Sequence, residues 1–166
     1  MCSSDLRRDR QQPETIALSD FLRSLCEEIV QAENIPTGSI QIIAPDDLVV
    51  IFDRGHFNQI LWNLVRNAWQ HCQKREGSIR IAARAGYMGD AVICELGDDG
   101  PGVPVEYRAQ IFEPFFTTRS GGTGLGLYIA RELADANGCA LELLPKSPGA
   151  MFRLTFKRAL TPAAIV

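Results

Sequence analysis

The stretch Gly122-Thr123-Gly124-Leu125-Gly126-Leu127 constrains this chain more than any other. Three glycines at alternate positions propagate neither helix nor strand, because each costs roughly 0.5–1 kcal/mol against alanine inside a regular element. Yet they run directly into Leu127 to Ala136, strong helix formers closed by Asn137-Gly138, a good C-terminal stop. A glycine-rich loop that opens a helix turns free N–H groups and the positive end of the helix dipole towards any anion in front of it. A second glycine turn, Asp98-Asp99-Gly100-Pro101-Gly102, lies upstream. Either turn alone is an ordinary surface feature. Two further elements fix the reading: Asn63-Leu64-Val65-Arg66-Asn67-Ala68 on a helix, and Phe112-Glu113-Pro114-Phe115-Phe116 between the glycine turns. Four motifs in this order point to a nucleotide pocket.

Hydrophobic periodicity supplies the frame around them. Phe21, Leu22, Leu25 and Ile29 recur at helical spacing over Ser19 to Ala32, with Ser19 or Asp20 as N-cap. The runs Ser39 to Ala44 and Leu48 to Phe52 are rich in β-formers and flank Pro45-Asp46-Asp47, which predicts a hairpin. A long helix is predicted from about Gly55 to Lys74. At ~100° per residue, Phe57, Ile60, Leu61, Leu64 and Ala68 share its apolar face, and Asn63, Asn67, Gln70 and Lys74 form a polar stripe beside it. Trp62 and Trp69 fall on the flank, as core or interface residues. Strands follow at Ser78 to Ala85, Ala91 to Leu96, Ala140 to Leu144 and Met151 to Phe156, with one helical turn near Val105 to Ile111 and a helix over Gly124 to Ala136.

With 166 residues and 46% hydrophobic content, the chain fills one core and forms one domain. A net charge of −3 leaves no basic patch to neutralise a phosphodiester backbone, so nucleic acid is excluded as a partner, whereas a small phosphate ligand needs only backbone N–H groups. No apolar run approaches the ~20 residues of a membrane helix and no signal peptide precedes the first charges, so the chain is expected to be soluble. The five cysteines (Cys2, Cys26, Cys72, Cys94, Cys139) are scattered and odd in number, which predicts reduced, mostly buried thiols. His56 and His71 make no metal-ligand cluster with them.

The order of an asparagine-paired helix, Asp-x-Gly-x-Gly, a Phe-rich segment and Gly-x-Gly-x-Gly resembles the ATP-binding domain shared by sensor histidine kinases, gyrase, Hsp90 and MutL, over roughly residues 17 to 158. The wording Asn-Leu-Val-Arg-Asn-Ala and Ile-Phe-Glu-Pro-Phe-Phe-Thr-Thr is similar to bacterial sensor histidine kinases, and the short lid to their nitrogen-regulation and type IV pilus group. The resemblance implies a two-layer α/β sandwich of Bergerat type: a mixed, mainly antiparallel five-stranded sheet with about three helices on one face. It implies ATP and Mg²⁺ as cofactors. Residues 1–15 are then the linker from an upstream dimerisation and phosphoacceptor domain, 16–158 the ATP-binding domain and 159–166 a tail, all cytoplasmic and monomeric when isolated. The partners implied are that histidine-bearing domain and a response regulator. The sensed signal and the membrane topology of the parent are not encoded in this stretch.

Carried over residue by residue, the resemblance makes Asn67 the Mg²⁺ ligand through its amide oxygen, with Asn63 one turn earlier on the same side as a second catalytic position. ATPases of the superfamily have a water-activating glutamate at the position of Asn63; an amide is no base at neutral pH, which favours phosphoryl transfer to protein over hydrolysis. Asp98, chosen over Asp99 by its register to Gly100 and Gly102, matches the acceptor of the adenine amino group, and the two glycines let the backbone pass the base. Gly122, Thr123, Gly124, Leu125 and Gly126 match the triphosphate loop. Arg119 stands where a lid cation reaches the γ-phosphate, or is a solvated loop charge. Phe112, Phe115 and Phe116 are expected to anchor the lid by packing, or one or two of them to be plain core, with Phe115 at the nucleotide.

Two departures stand out. Gln70 occupies a position where many such kinases have a phosphate-binding lysine, and His71 one where an aromatic is common. Neither histidine stands in a phosphoacceptor pattern, so the phosphorylated histidine is expected outside this chain. The rival readings are an autonomous ATPase of the same fold and a non-catalytic docking module with a vestigial pocket.

Overall fold

The computed structural model describes residues 11–145, 148–157 and 159. Most of the expected linker, the tail beyond 159 and Cys2 lie outside these residues. The elements in chain order are β1 (Pro13–Ala17), α1 (Leu18–Ala32), β2 (Ile40–Ile43), β3 (Val49–Asp53), α2 (Arg54–His71), β4 (Ile79–Ala85), β5 (Ala91–Asp98), a single 3₁₀ turn (Val105–Tyr107), α3 (Gly126–Ala136), β6 (Ala140–Leu143) and β7 (Met151–Lys157). Five strands form one sheet in the order β2-β4-β5-β7-β6, parallel only between β2 and β4, and β1 and β3 form a second, two-stranded sheet. This is the expected two-layer sandwich with one added ribbon.

The core follows the alternation of the strands. Ile79 and Ile81 of β4, Val92, Cys94 and Leu96 of β5, and Phe152, Leu154 and Phe156 of β7 are all buried on one sheet face. Against them lie Phe21, Leu22, Leu25 and Ile29 of α1, the predicted apolar face of α2, and Ala130 and Ala134 of α3. Phe57 joins the layers: it stacks on Phe21 at 4.4 Å between centroids and touches Phe52 and Phe156 at 5.2 Å each. Trp62 and Trp69 pack against this core from its rim.

The predicted hairpin of residues 39–52 does not form. β2 pairs with β4, Ile40 opposite Ile79, and β3 pairs with β1, Val49 opposite Ala17. Pro45-Asp46-Asp47 therefore carries the chain from one sheet to another. The partners of both strands are remote: Ile79 N–H donates to Ser39 O and Gly77 N–H to Gly38 O, which claims β2 for the main sheet. β1 itself begins at Pro13, inside the span assigned to the linker.

Helix ends differ from expectation for similarly non-local reasons. α1 starts at Leu18 behind Ala17, without a side-chain cap, because Leu18 N–H donates to Leu48 O; Ser19 is instead buried. α2 has its cap at Asp53, whose carboxylate accepts from His56 N–H at 3.0 Å. It stops at His71 rather than Lys74, since Asp99 captures the next free amide, Gln73 N–H, at 2.8 Å. α3 starts two residues later than predicted, Gly124 having φ +68°.

Candidate active site

A cleft of about 560 Å³ lies between α2, the end of β5, the loop 116–124 and the start of α3. α2 supplies Asn63, Asn67 and Gln70 of the predicted stripe together with Arg66 and His71; the turn after β5 supplies Asp98, Gly102, Val103 and Pro104; the loop supplies Arg119, Gly122, Thr123 and Gly124. Gly126 and Leu127 contribute from α3, and Ile111, Phe116 and Phe152 make an apolar wall. Of the predicted site residues, Asn63, Asn67, Asp98, Gly102, Arg119, Gly122, Thr123, Gly124 and Gly126 meet here. Gly100, Phe115 and Leu125 do not line the cleft.

Each of those three has another task. A Cβ on Gly100 would stand 2.3 Å from His71 O, so glycine lets the turn pass the last carbonyl of α2; its N–H donates to Asp98 Oδ1 at 2.8 Å. Gly102, at φ +78°, makes a similar approach to Gly149 O. Both glycines thus admit protein backbone at close range. Leu125 is the N-cap residue of α3, its N–H directed at Thr123 Oγ1. Phe115 departs most from expectation: it is 75% exposed, with φ +67°, and does not anchor the loop. Its N–H donates to Gly124 O, and a Cβ on Gly124 would fall 2.4 Å from its carbonyl carbon. Phe112 and Phe116 do pack, on Phe152 and Tyr107 respectively.

The two aspartates of the turn face opposite ways. Asp98 Oδ1 accepts from Gly100 N–H at 2.8 Å and Ala150 N–H at 3.4 Å. Burial raises its carboxyl above the ordinary range, against the opposing pull of those amides and of His71. Asp99 turns away and knots the chain behind the cleft, accepting from Gln73 N–H, Ser78 Oγ and Arg75 Nε. These partners outweigh its burial and hold its carboxyl below the usual value.

Gly149 and Ala150 complete the Asp98 end. Asp98 N–H donates to Ala150 O at 3.0 Å, and a Cβ on Gly149, at φ +82°, would lie 1.8 Å from Asp98 O. A Pro-Gly pair carries no sign of which backbone crosses it, so this contact was not legible in advance.

At the other end, Asn63 Nδ2 donates to Gly126 O at 3.1 Å, which ties α2 to the first turn of α3. The amide oxygen of Asn63 is left for other partners. The side chain of Asn67 makes no hydrogen bond to protein among the described residues. No group of three His, Cys, Asp or Glu side chains able to hold a metal occurs among the described residues. One or two amide oxygens without carboxylates do not make an all-protein metal cage, but they fit Mg²⁺, which keeps waters and takes phosphate oxygens as ligands. Cys26, Cys72, Cys94 and Cys139 are free and buried, and burial pushes three of these thiols (Cys26, Cys94, Cys139) up to about 12. They are structural and chemically quiet.

Residues 52–160 match the family described as histidine kinase-, DNA gyrase B-, and HSP90-like ATPase. The chain is 34% identical over 154 residues to the sensor protein kinase PilS of Pseudomonas aeruginosa, covering 90% of this chain and 29% of PilS. It is 35% identical over 121 residues to the nitrogen regulation protein NtrY of Azorhizobium caulinodans, covering 68% of this chain and 15% of NtrY. The chain therefore spans less than a third of the length of these curated relatives. Among solved structures, the catalytic domain of histidine kinase ThkA superposes with a TM-score of 0.73 at 30% identity, over 89% of this chain and 96% of that one. Full-length ShkA in complex with AMPPNP superposes with a TM-score of 0.72 at 28% identity, over 92% of this chain and 33% of ShkA.

Proposed function

Because this chain belongs to the histidine kinase-, DNA gyrase B- and HSP90-like ATPase family, we propose that it is the Mg·ATP-holding catalytic domain of a sensor histidine kinase, handing the γ-phosphate to a histidine on a separate domain. The observation that carries this reading is a cleft with two chemically different ends spanned by one helix. A fixed carboxylate, Asp98, marks one end beside His71, and the free N-terminus of α3 marks the other beside Asn63. His71 and Asn63 are separated by about 12 Å of helix at 1.5 Å rise per residue, a span suited to an extended nucleoside triphosphate.

In this arrangement Asp98 accepts a hydrogen bond from the adenine amino group, which guanine, with a carbonyl at that place, could not donate. The apolar wall of Ile111, Phe116 and Phe152 covers the base and sugar. The amides opening α3 receive the phosphates with the helix dipole behind them. Asn67, with the amide oxygen of Asn63, would hold Mg²⁺, whose chemistry is to neutralise charge on the phosphates. Asn63 supplies no base, so the domain positions ATP and leaves the nucleophile to the partner. A response regulator would receive the phosphate afterwards. The test is calorimetric titration of Mg·ATP into wild type, Asp98→Asn and Asn67→Ala. Wild type binds, Asp98→Asn binds weakly, and Asn67→Ala loses the Mg²⁺-dependent part of its affinity; equal binding by all three contradicts the assignment.

A further inference from the structure

We propose that Arg66 is a second phosphate-binding cation, reading the terminal phosphate of ATP from the rigid side of the cleft; the proposal rests on the Mg·ATP reading above. A triphosphate needs positive partners, and the cleft offers two arginines, Arg119 on the exposed loop and Arg66 on α2. Arg66 stands one turn before Gln70, and both line the cleft. The charge missing at Gln70 is thus present on the same helix and in the same cleft, one turn nearer the helix N-terminus. Along α2, Arg66 precedes Asn67, towards Asn63 and away from His71, whose carbonyl meets the Asp98–Gly100 turn; with the base at Asp98, the distal phosphate falls in that direction.

The side chain is held ready for this. Glu33, at the C-cap of α1, accepts from Trp62 Nε1 at 3.1 Å and pairs with Arg66 Nε at 2.9 Å through the same oxygen, Oε1. Trp62 and Arg66 are one helical turn apart, so a single carboxylate fixes both. Glu33 is the one partner of the Arg66 side chain among the described residues, and that side chain is 54% exposed. A guanidinium carries five N–H donors, more than one carboxylate oxygen takes up. A half-exposed ion pair of this kind contributes little as a strut between α1 and α2. A half-exposed guanidinium with a single ion-pair partner and a place in the cleft lining keeps donors to offer, in the fork geometry that engages phosphate oxygens bidentately.

The experiment compares Mg·ATP, Mg·ADP and AMP in titrations of wild type, Arg66→Gln and Arg66→Lys, with a thermal melt of each. Arg66→Gln is expected to weaken Mg·ATP by about tenfold to a hundredfold, to change Mg·ADP by less than about threefold and to leave AMP unchanged. Arg66→Lys, which keeps charge but not the fork, recovers part of the loss. Equal loss for all three nucleotides accompanied by a lower melting temperature makes Arg66 a structural strut and overturns the proposal, as does unchanged ATP affinity. If wild type binds none of the three, the Mg·ATP reading itself fails, and this proposal with it.

Discussion

The two ends of the cleft are built on opposite principles. At the Asp98 end every backbone element touches another: Gly100 lies under His71 O, Gly102 under Gly149 O, Gly149 under Asp98 O, and Asp98 is bonded to Gly100 and Ala150. Across the cleft, residues 117–123 are all exposed, and their short-range bonds run mainly among themselves, as from Arg119 N–H to Thr117 Oγ1. On the proposed reading the Asp98 end takes the base, which is the same in ATP and ADP, so its recess can be finished at folding. On the same reading the loop side takes the phosphates, which differ between ATP and ADP, and is left to be completed by the ligand.

The largest effect that separates the two ends comes from adding one methyl group to a glycine. Gly149→Ala puts a Cβ 1.8 Å from Asp98 O at φ +82°, and Gly100→Ala one 2.3 Å from His71 O. Each should cost at least about 3 kcal/mol in urea denaturation, because backbone must move against backbone. Gly121→Ala has a similar φ of +87° but no atom within 4 Å, and should cost about 1 kcal/mol from the backbone conformation alone. Equal costs at Gly149 and Gly121 would erase the contrast.

Next in size is Asp98→Asn, which removes the charge but keeps an oxygen that can accept from Gly100 and Ala150. ATP binding should weaken by roughly 1.5–3 kcal/mol in calorimetry while the melting temperature stays within a few degrees.

Acid should then separate binding from folding. Asp98 has its carboxyl raised by burial, so its ionised, hydrogen-bond-accepting form is lost as pH falls through a value above the ordinary ~3.9. Asp99 and Asp53 are lowered, each against a desolvation cost, by the amides of Gln73 and of Gln12 and His56. Their stabilising contribution is present above ~3.9 and is lost only as pH drops through their lower folded values. ATP affinity, followed by titration between pH 7 and pH 4, should therefore decline before the melting temperature does. Coincident loss of both would contradict the assignment of Asp98 as the acceptor.

The smallest effect lies in the loop. Amide hydrogen exchange of residues 117–123 should be fast without nucleotide and slowed by Mg·ATP, with β5 and residues 149–150 unchanged. Equal protection of the loop in both states would show that it is finished at folding after all.

What was legible in the sequence follows the same division. Periodicity gave the core faces of α1 and α2 and the strands β4 to β7, because those segments bury one face along their whole length. The glycine turns gave the place of the site, and register against Gly100 and Gly102 separated Asp98 from Asp99. Contacts decided by remote partners were not legible. Leu48 O caps α1, β1 takes β3 from its expected hairpin, and Gly149 closes the Asp98 end, none of which leaves a local trace. Phe115 misled for a related reason. In sequence it belongs to an aromatic cluster, but its backbone is turned to φ +67° by the hydrogen bond to Gly124, which sends the ring outward.

The central claim is that the domain holds ATP for a nucleophile it does not itself contain. Its direct test is incubation with γ-labelled Mg·ATP, alone and with a dimeric helical domain bearing the acceptor histidine of the parent protein. The expected result is acid-labile label on the partner's histidine, with neither labelling of His56 or His71 nor rapid phosphate release by the domain alone. Label on either of those histidines, or brisk hydrolysis without the partner, would contradict it and identify a self-sufficient enzyme.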